Sequence, residues 1–142
     1  MPNDWKRIEA SDTEFFIPHN LAEKEPRHPM IKCSTARFYG NKNIWLVFSI
    51  QSKSNDLMNN EYSKQRDFEA KETVVDGKQA LITTFTGTNM INEAEGKNYV
   101  AVLNIPQIQG TTKNLLMWAY SKNLEDREIV LKIFKSVRFP KV

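Results

Sequence analysis

Apolar residues along this chain fall mostly in short alternating or continuous runs, and one stretch repeats at helical spacing. In Ile44 to Gln51, Ile44, Leu46, Phe48 and Ile50 share one face while Trp45 and Val47 line the other. That pattern predicts a strand covered on both faces and therefore central in a sheet. Cys33 to Tyr39 is a second β-rich run, joined to the first by Gly40-Asn41-Lys42-Asn43. These linking residues tolerate the positive φ of tight connections, so a hairpin is predicted. Glu72 to Val75 and Gln79 to Phe85 flank Asp76-Gly77-Lys78, and Asp-Gly between β-rich runs is the strongest short hairpin signal. Asn98 to Ile105 reads as a strand stopped by Pro106, and Leu115 to Tyr120, apolar on both faces, as an internal last strand. Asp12 to Pro18 reads as a polar turn leading into a short strand.

The helical repeat comes last. Val130, Ile133, Phe134 and Val137 recur at i, i+3, i+4 and i+7, a single apolar stripe suited to packing on a sheet. Asn123 is placed to cap this helix, Glu125 and Asp126 favour its positive start, and Lys132, Lys135 and Arg138 favour its negative end. Burial of the stripe contributes about 1.5–3 kcal/mol per side chain. A second helix is predicted within Asn55 to Lys71, where helix formers outnumber the few large apolar residues, Leu57, Met58, Tyr62 and Phe68. His19 to Ile31, with Pro26 and Pro29 and no periodic apolar face, reads as an exposed connection, and Thr86 to Lys97 as an irregular loop. Strands without βαβ alternation, one middle helix and a closing helix make an α+β class with an antiparallel sheet, in two layers or three.

Composition narrows the classes without adding chemistry. The 142 residues are 40% hydrophobic and 26% charged, values of an ordinary globular chain of one domain, expected to span residues 1–142. The longest apolar run, Ile44 to Phe48, is far short of the roughly 20 residues that span a bilayer, and Met1 to Arg7 lacks the pattern of a secretory signal. The compartment is left as two expectations: the cell envelope if a signal preceded this sequence, the cytoplasm otherwise. The +3 net charge is spread among interleaved acids and bases, which predicts a mixed solvated surface.

Each candidate site meets a plain structural alternative. His19 and His28 are the candidate metal ligands, in a loop with Glu23 and Glu25, but no His or Cys pair at ligand spacing completes a site, so no metal is expected. Cys33, the single cysteine, opens a β-rich run and reads as a small buried hydrophobe without an adjacent base. No nucleophile elbow, zinc motif or phosphate-binding glycine loop occurs, which predicts no catalytic residues and no cofactor. Lys132, Lys135, Arg138 and Lys141, with Arg37 and Lys42, form a possible basic stripe, yet helix ends attract cations anyway and no aromatic-interleaved basic motif accompanies them. No nucleic-acid partner is expected. Trp5, Trp45, Trp118, Tyr39, Tyr62, Tyr99 and Tyr120 read as packing in an aromatic-containing sheet. The loops Pro18 to Lys32 and Thr86 to Lys97 are the expected partner-facing surfaces.

Phe15-Phe16-Ile17-Pro18, the hairpin Val75 to Ala80 and the closing stretch Asp126 to Phe139 together resemble the PsbP/Mog1-like domains, which include DcrB-like bacterial lipoproteins. The resemblance spans Glu14 to Phe139 and implies an α/β/α sandwich, a central antiparallel sheet flanked by helices. It also implies a non-enzymatic accessory or protein-binding role, bacterial, with another protein as partner. The competing expectation is a small-ligand or metal-binding domain using the loop over residues 18–32.

Overall fold

The structure, a computed structural model, describes residues 4–24, 36–51, 65–87, 96–106, 108 and 113–139. Nine strands precede one helix among them: β1 (Trp5–Ala10), β2 (Thr13–Pro18), β3 (Ala22–Lys24), β4 (Arg37–Gly40), β5 (Ile44–Gln51), β6 (Arg66–Val75), β7 (Lys78–Thr86), β8 (Tyr99–Ile105), β9 (Asn114–Ser121) and α1 (Leu124–Lys135). β1 and β2 pair as a separate hairpin, and the other strands form a seven-stranded antiparallel sheet in the order β3-β4-β5-β9-β8-β7-β6. β9 occupies the middle of that order, as its two-sided apolar sequence requires, and β5 lies beside it.

Strand parity sorts the sheet into two faces. On the first, Leu46 and Phe48 of β5 stand opposite Ala119 and Met117 of β9, which stand opposite Ala101 and Leu103 of β8. All six are fully buried, and Val130, Ile133 and Phe134 of α1 close over the same cluster with Val137, just past the helix end. Phe15 and Ile17 of β2 join it, Phe15 stacking on Phe48 at 5.3 Å and meeting Tyr39 edge-on at 6.0 Å. The helix begins as its sequence predicts: the Asn123 side chain accepts the Asp126 N–H at 2.9 Å, with Glu125 and Asp126 in the first turn.

The helix end is tied to β2. Ser136 Oγ donates to the Ile133 carbonyl at 2.6 Å and accepts the Phe16 N–H at 2.9 Å. Glu14 and Arg138 then exchange two backbone hydrogen bonds of 3.0 and 2.8 Å. Arg138 lies beyond α1, and its guanidinium reaches back to the Lys135 carbonyl at 3.0 Å, neutralising the helix end as expected.

Both predicted hairpins form, one of them by different means. Asp76 (φ 49°) and Gly77 (φ 77°) make the two-residue turn between β6 and β7 in the left-handed region, as Asp-Gly predicts. The β4–β5 connection closes instead through the Asn41 side chain, whose Oδ1 accepts the N–H groups of Asn43 and Ile44, both at 2.8 Å.

Three expectations need correction. Arg66 to Lys71, assigned to a helix, belongs to β6: good helix formers such as Glu69, Ala70 and Lys71 are held extended by pairing with β7. The rest of that predicted helix, 55–64, lies outside the described residues, so the sheet is flanked by one helix among the described residues rather than by helices on both faces. His19 to Ile31 is not wholly an exposed connection, because Leu21 is fully buried and Ala22–Lys24 pairs with β4. Lastly, β1 was not anticipated: it joins β2 through Ser11 (φ 50°) and Asp12 (φ 59°), a two-residue turn in the left-handed region built without glycine.

Candidate interaction surface

The second face of the sheet has a different character. Parity places Trp45 and Val47 of β5 opposite Tyr120 and Trp118 of β9, and these opposite Val100 and Val102 of β8. Phe38 of β4 and Phe85 of β7 extend the two rows outward. Phe38 and Trp45 approach with ring centroids 5.9 Å apart. Phe38, Trp45 and Val47 form one cluster and Phe85, Val100 and Val102 another, and the half-buried Trp118 and Tyr120 pack against both. Among the described residues, every member of these clusters comes from the sheet or from Ala36 just before β4. No described element lies over this face as α1 lies over the other.

A glycine makes room for the aromatic end. Gly40 stands opposite Trp45, and a Cβ at that position would come within 2.9 Å of the Trp45 ring. Towards the other end the face turns polar: Ser49 stands opposite Leu116, which stands opposite Asn104, which stands opposite Leu81. The Asn104 carbonyl oxygen is buried and has no hydrogen-bond partner.

Among the described residues, burial perturbs two side chains of the sheet region. Burial, reinforced by the Glu23 carboxylate across the β3–β4 pair, pushes the Tyr39 hydroxyl up to about 12. Burial also lowers Lys97, with a smaller push from the neighbouring Lys122 cation. Around the start of α1, Arg127 lies over the Tyr99 ring at 5.9 Å, Tyr99 pairs with Ser121, and Ser121 Oγ and Asp126 Oδ2 are buried without hydrogen-bond partners.

The residues singled out from sequence are scattered. His19 is exposed in the turn after β2, while His28 and Cys33 lie outside the described residues. No group of three or more His, Cys, Asp or Glu side chains among the described residues is arranged to hold a metal ion. Lys132 and Lys135 are exposed on α1, whereas Arg37 sits on β4 at 3.9 Å from Glu23 and Lys42 in the next turn, so these cations do not share one element; Lys141 lies outside the described residues. Of the two loops expected to face a partner, most of each lies outside the described residues. The aromatic face itself was readable only as packing, because assigning Trp45, Trp118 and Tyr120 to one face requires the β5–β9 register. Tyr39 and Tyr99 belong to the opposite face, Trp5 packs at the margin of the helix-covered core, and Tyr62 lies outside the described residues.

No protein-family model matches the chain, and no curated protein matches it in sequence. Solved structures do match in fold. The Ran-binding protein Mog1p of Saccharomyces cerevisiae superimposes with a TM-score of 0.56 at 9% identity, over 95% of this chain and 95% of that one. LpqN of Mycobacterium tuberculosis, involved in cell envelope biogenesis, matches with a TM-score of 0.47 at 15% identity, over 99% of this chain and 81% of that one. The fold is Mog1/PsbP-like, as the sequence resemblance implied. No helix among the described residues is long and apolar enough to cross a membrane.

Proposed function

We propose that residues 1–142 form one accessory, protein-binding domain that engages its partner through the aromatic face of the sheet. The observation that carries this reading is the pair Trp118 and Tyr120, half-buried side by side on the central strand and seated on two buried apolar clusters. Tryptophan and tyrosine on a rigid support are the side chains that most often dominate protein interfaces, since they bury large area at little cost in conformational freedom. Mog1p, described as a Ran-binding protein, has the same overall fold and is compatible with such a role. Fold likeness by itself assigns neither partner nor activity.

The test uses the immobilised chain and a Trp118→Ala, Tyr120→Ala double variant against lysate of the source cells. Retention of a protein by the wild type and its loss from the double variant, at matched far-ultraviolet circular dichroism, is the expected result. Identical retention by both chains would exclude this face. Turnover on a substrate panel that survives in the double variant would replace the binding role with a catalytic one elsewhere.

A further inference from the structure

The two margins of the sheet are unequal. β3 closes one side with 3 described residues. β6 closes the other with 10 residues, exposed from Arg66 to Glu72 and, among the described residues, bonded on one side only, to β7. This long open edge is independent of the aromatic face.

Its backbone groups can be assigned from the turn. Residues flanking a two-residue turn form a narrow pair that exchanges both hydrogen bonds, and narrow and wide pairs then alternate along the ladder. Val75 and Lys78 flank Asp76-Gly77, so Val75, Thr73, Lys71 and Glu69 direct their N–H and C=O groups towards β7. Ala70, Glu72 and Val74 direct theirs outward, to the free edge. An antiparallel partner must therefore bond to these even-numbered positions.

For a second copy of the same chain, few two-fold registers satisfy that condition, and charge separates them. An axis at Glu69, Lys71 or Glu72 sets that residue against its own copy and faces like charges directly, which is unfavourable. An axis at Thr73 faces no charges and leaves little of the strand to pair. An axis at Ala70 makes Ala70 the narrow pair with its copy and sets Glu69 opposite Lys71 of the second chain, twice. Those are wide pairs, in which side chains approach most closely. Glu69 and Lys71 already lie 3.2 Å apart along the strand on one face, so pairing at Ala70 produces a square of four charges alternating in sign. Charges on an edge strand ordinarily discourage association. Here the same charges single out one register.

The ladder is bounded at one end. Asp67 has φ 59°, and an extra residue enters β6 between Arg66 and Glu69, so regular pairing around Ala70 is interrupted beyond Phe68. Phe68, partly exposed at 38%, would stand near Ala70 and Glu72 of the second chain.

We propose that β6 pairs antiparallel with β6 of a second copy about a two-fold axis at Ala70, joining two sheets into one. Four chains test this by sedimentation velocity over a concentration series: wild type, Lys71→Glu, the exchanged Glu69→Lys, Lys71→Glu double variant, and Ala70→Pro. The wild type should form a dimer. Lys71→Glu places acids around the axis and should weaken it by at least about tenfold, and the exchanged variant should restore it, because two cross-strand pairs change sign and then recover. Ala70→Pro removes an outward N–H, leaves the bonds to β7 intact and should give a folded monomer. A wild type that stays monomeric to about 1 mM overturns the proposal. So does a dimer that Lys71→Glu and Ala70→Pro leave unchanged, which would belong to another surface, and so does an exchanged variant as weak as the single one, which would refute the register.

Discussion

The two faces of the seven-stranded sheet are built from the same strands and differ in what covers them. On the helix side, Leu46, Phe48, Leu103 and Met117 meet Ile133 and Phe134 with no exposure at all. On the opposite side, each apolar side chain alternates along the strand with one of those buried residues, yet Trp118 and Tyr120 at its centre keep part of their surface accessible. The difference teaches that the first face is closed by α1, whereas on the second face Phe38, Trp45, Val47, Phe85, Val100 and Val102 are buried and Trp118 and Tyr120 are the half-buried members packed against them.

That contrast breaks most sharply at Phe134. Truncation to alanine should cost about 3–5 kcal/mol, the range for a large aromatic removed from a closed core, whereas Phe134→Asp should leave the chain unfolded at room temperature. Urea denaturation of the first and circular dichroism of the second check both. If Phe134→Ala lost no more than about 1 kcal/mol, the helix would not be the cover that its burial indicates.

Alkaline titration sharpens the picture at the margin of the helix-covered face. Tyr39 keeps its proton in the folded chain to about pH 12, while an unfolded tyrosine loses it near pH 10. The folded state then binds more protons than the unfolded state across that interval. Tyr39 thus contributes stability that is complete below about pH 10 and is lost as pH rises towards 12, on the order of 2–3 kcal/mol for a shift of this size. Replacement by phenylalanine should flatten this part of the stability–pH curve, measured by urea midpoints at fixed pH. Lys97, lowered by burial, acts in the opposite sense: the unfolded chain holds its proton to higher pH, so its contribution rises with pH through the interval below 10.5.

The smallest effect falls on the second face. Gly40→Ala would push a methyl group into the Trp45 ring, which is itself buried, and should cost about 1–3 kcal/mol by overpacking, at the low end if the ring can tilt. Trp45 sits on the aromatic face, so a small stability loss joined to an altered tryptophan emission spectrum is the expected signature. A melt and a spectrum both unchanged would show that this end of the face is loosely packed.

Much of this architecture was legible in the sequence. Asp76-Gly77 fixed one hairpin, the two-sided apolar run Leu115 to Tyr120 announced an internal strand, which proves to be the middle one with the run expected there, Ile44 to Gln51, beside it, and the i, i+3, i+4, i+7 stripe with Asn123 located α1. The failures have physical reasons. Only Glu72 to Val75 of β6 was marked as a strand: its first half, Arg66 to Lys71, carries few apolar residues because it is a solvated edge, and its helix formers argued for the wrong element. β1 was missed because Ser11 and Asp12 adopt positive φ without the glycine that usually advertises such a turn. The aromatic face was hidden for a different reason: each strand supplies only one or two of its residues, and only the register between distant strands gathers Phe38, Trp45, Trp118, Tyr120 and Phe85 together. A single sequence contains the parity of each strand but not the alignment of one against another.

The closure between Glu14 and Arg138 also has a kinetic side. β2 offers Phe15 and Ile17 to a core completed by residues more than a hundred positions later, and its Phe16 N–H finds its acceptor in Ser136. During synthesis the first hairpin can therefore complete its packing only after α1 and the residues just after it have been made, although Tyr39 and Phe48 reach Phe15 earlier. Contacts of such long sequence separation make for slow folding.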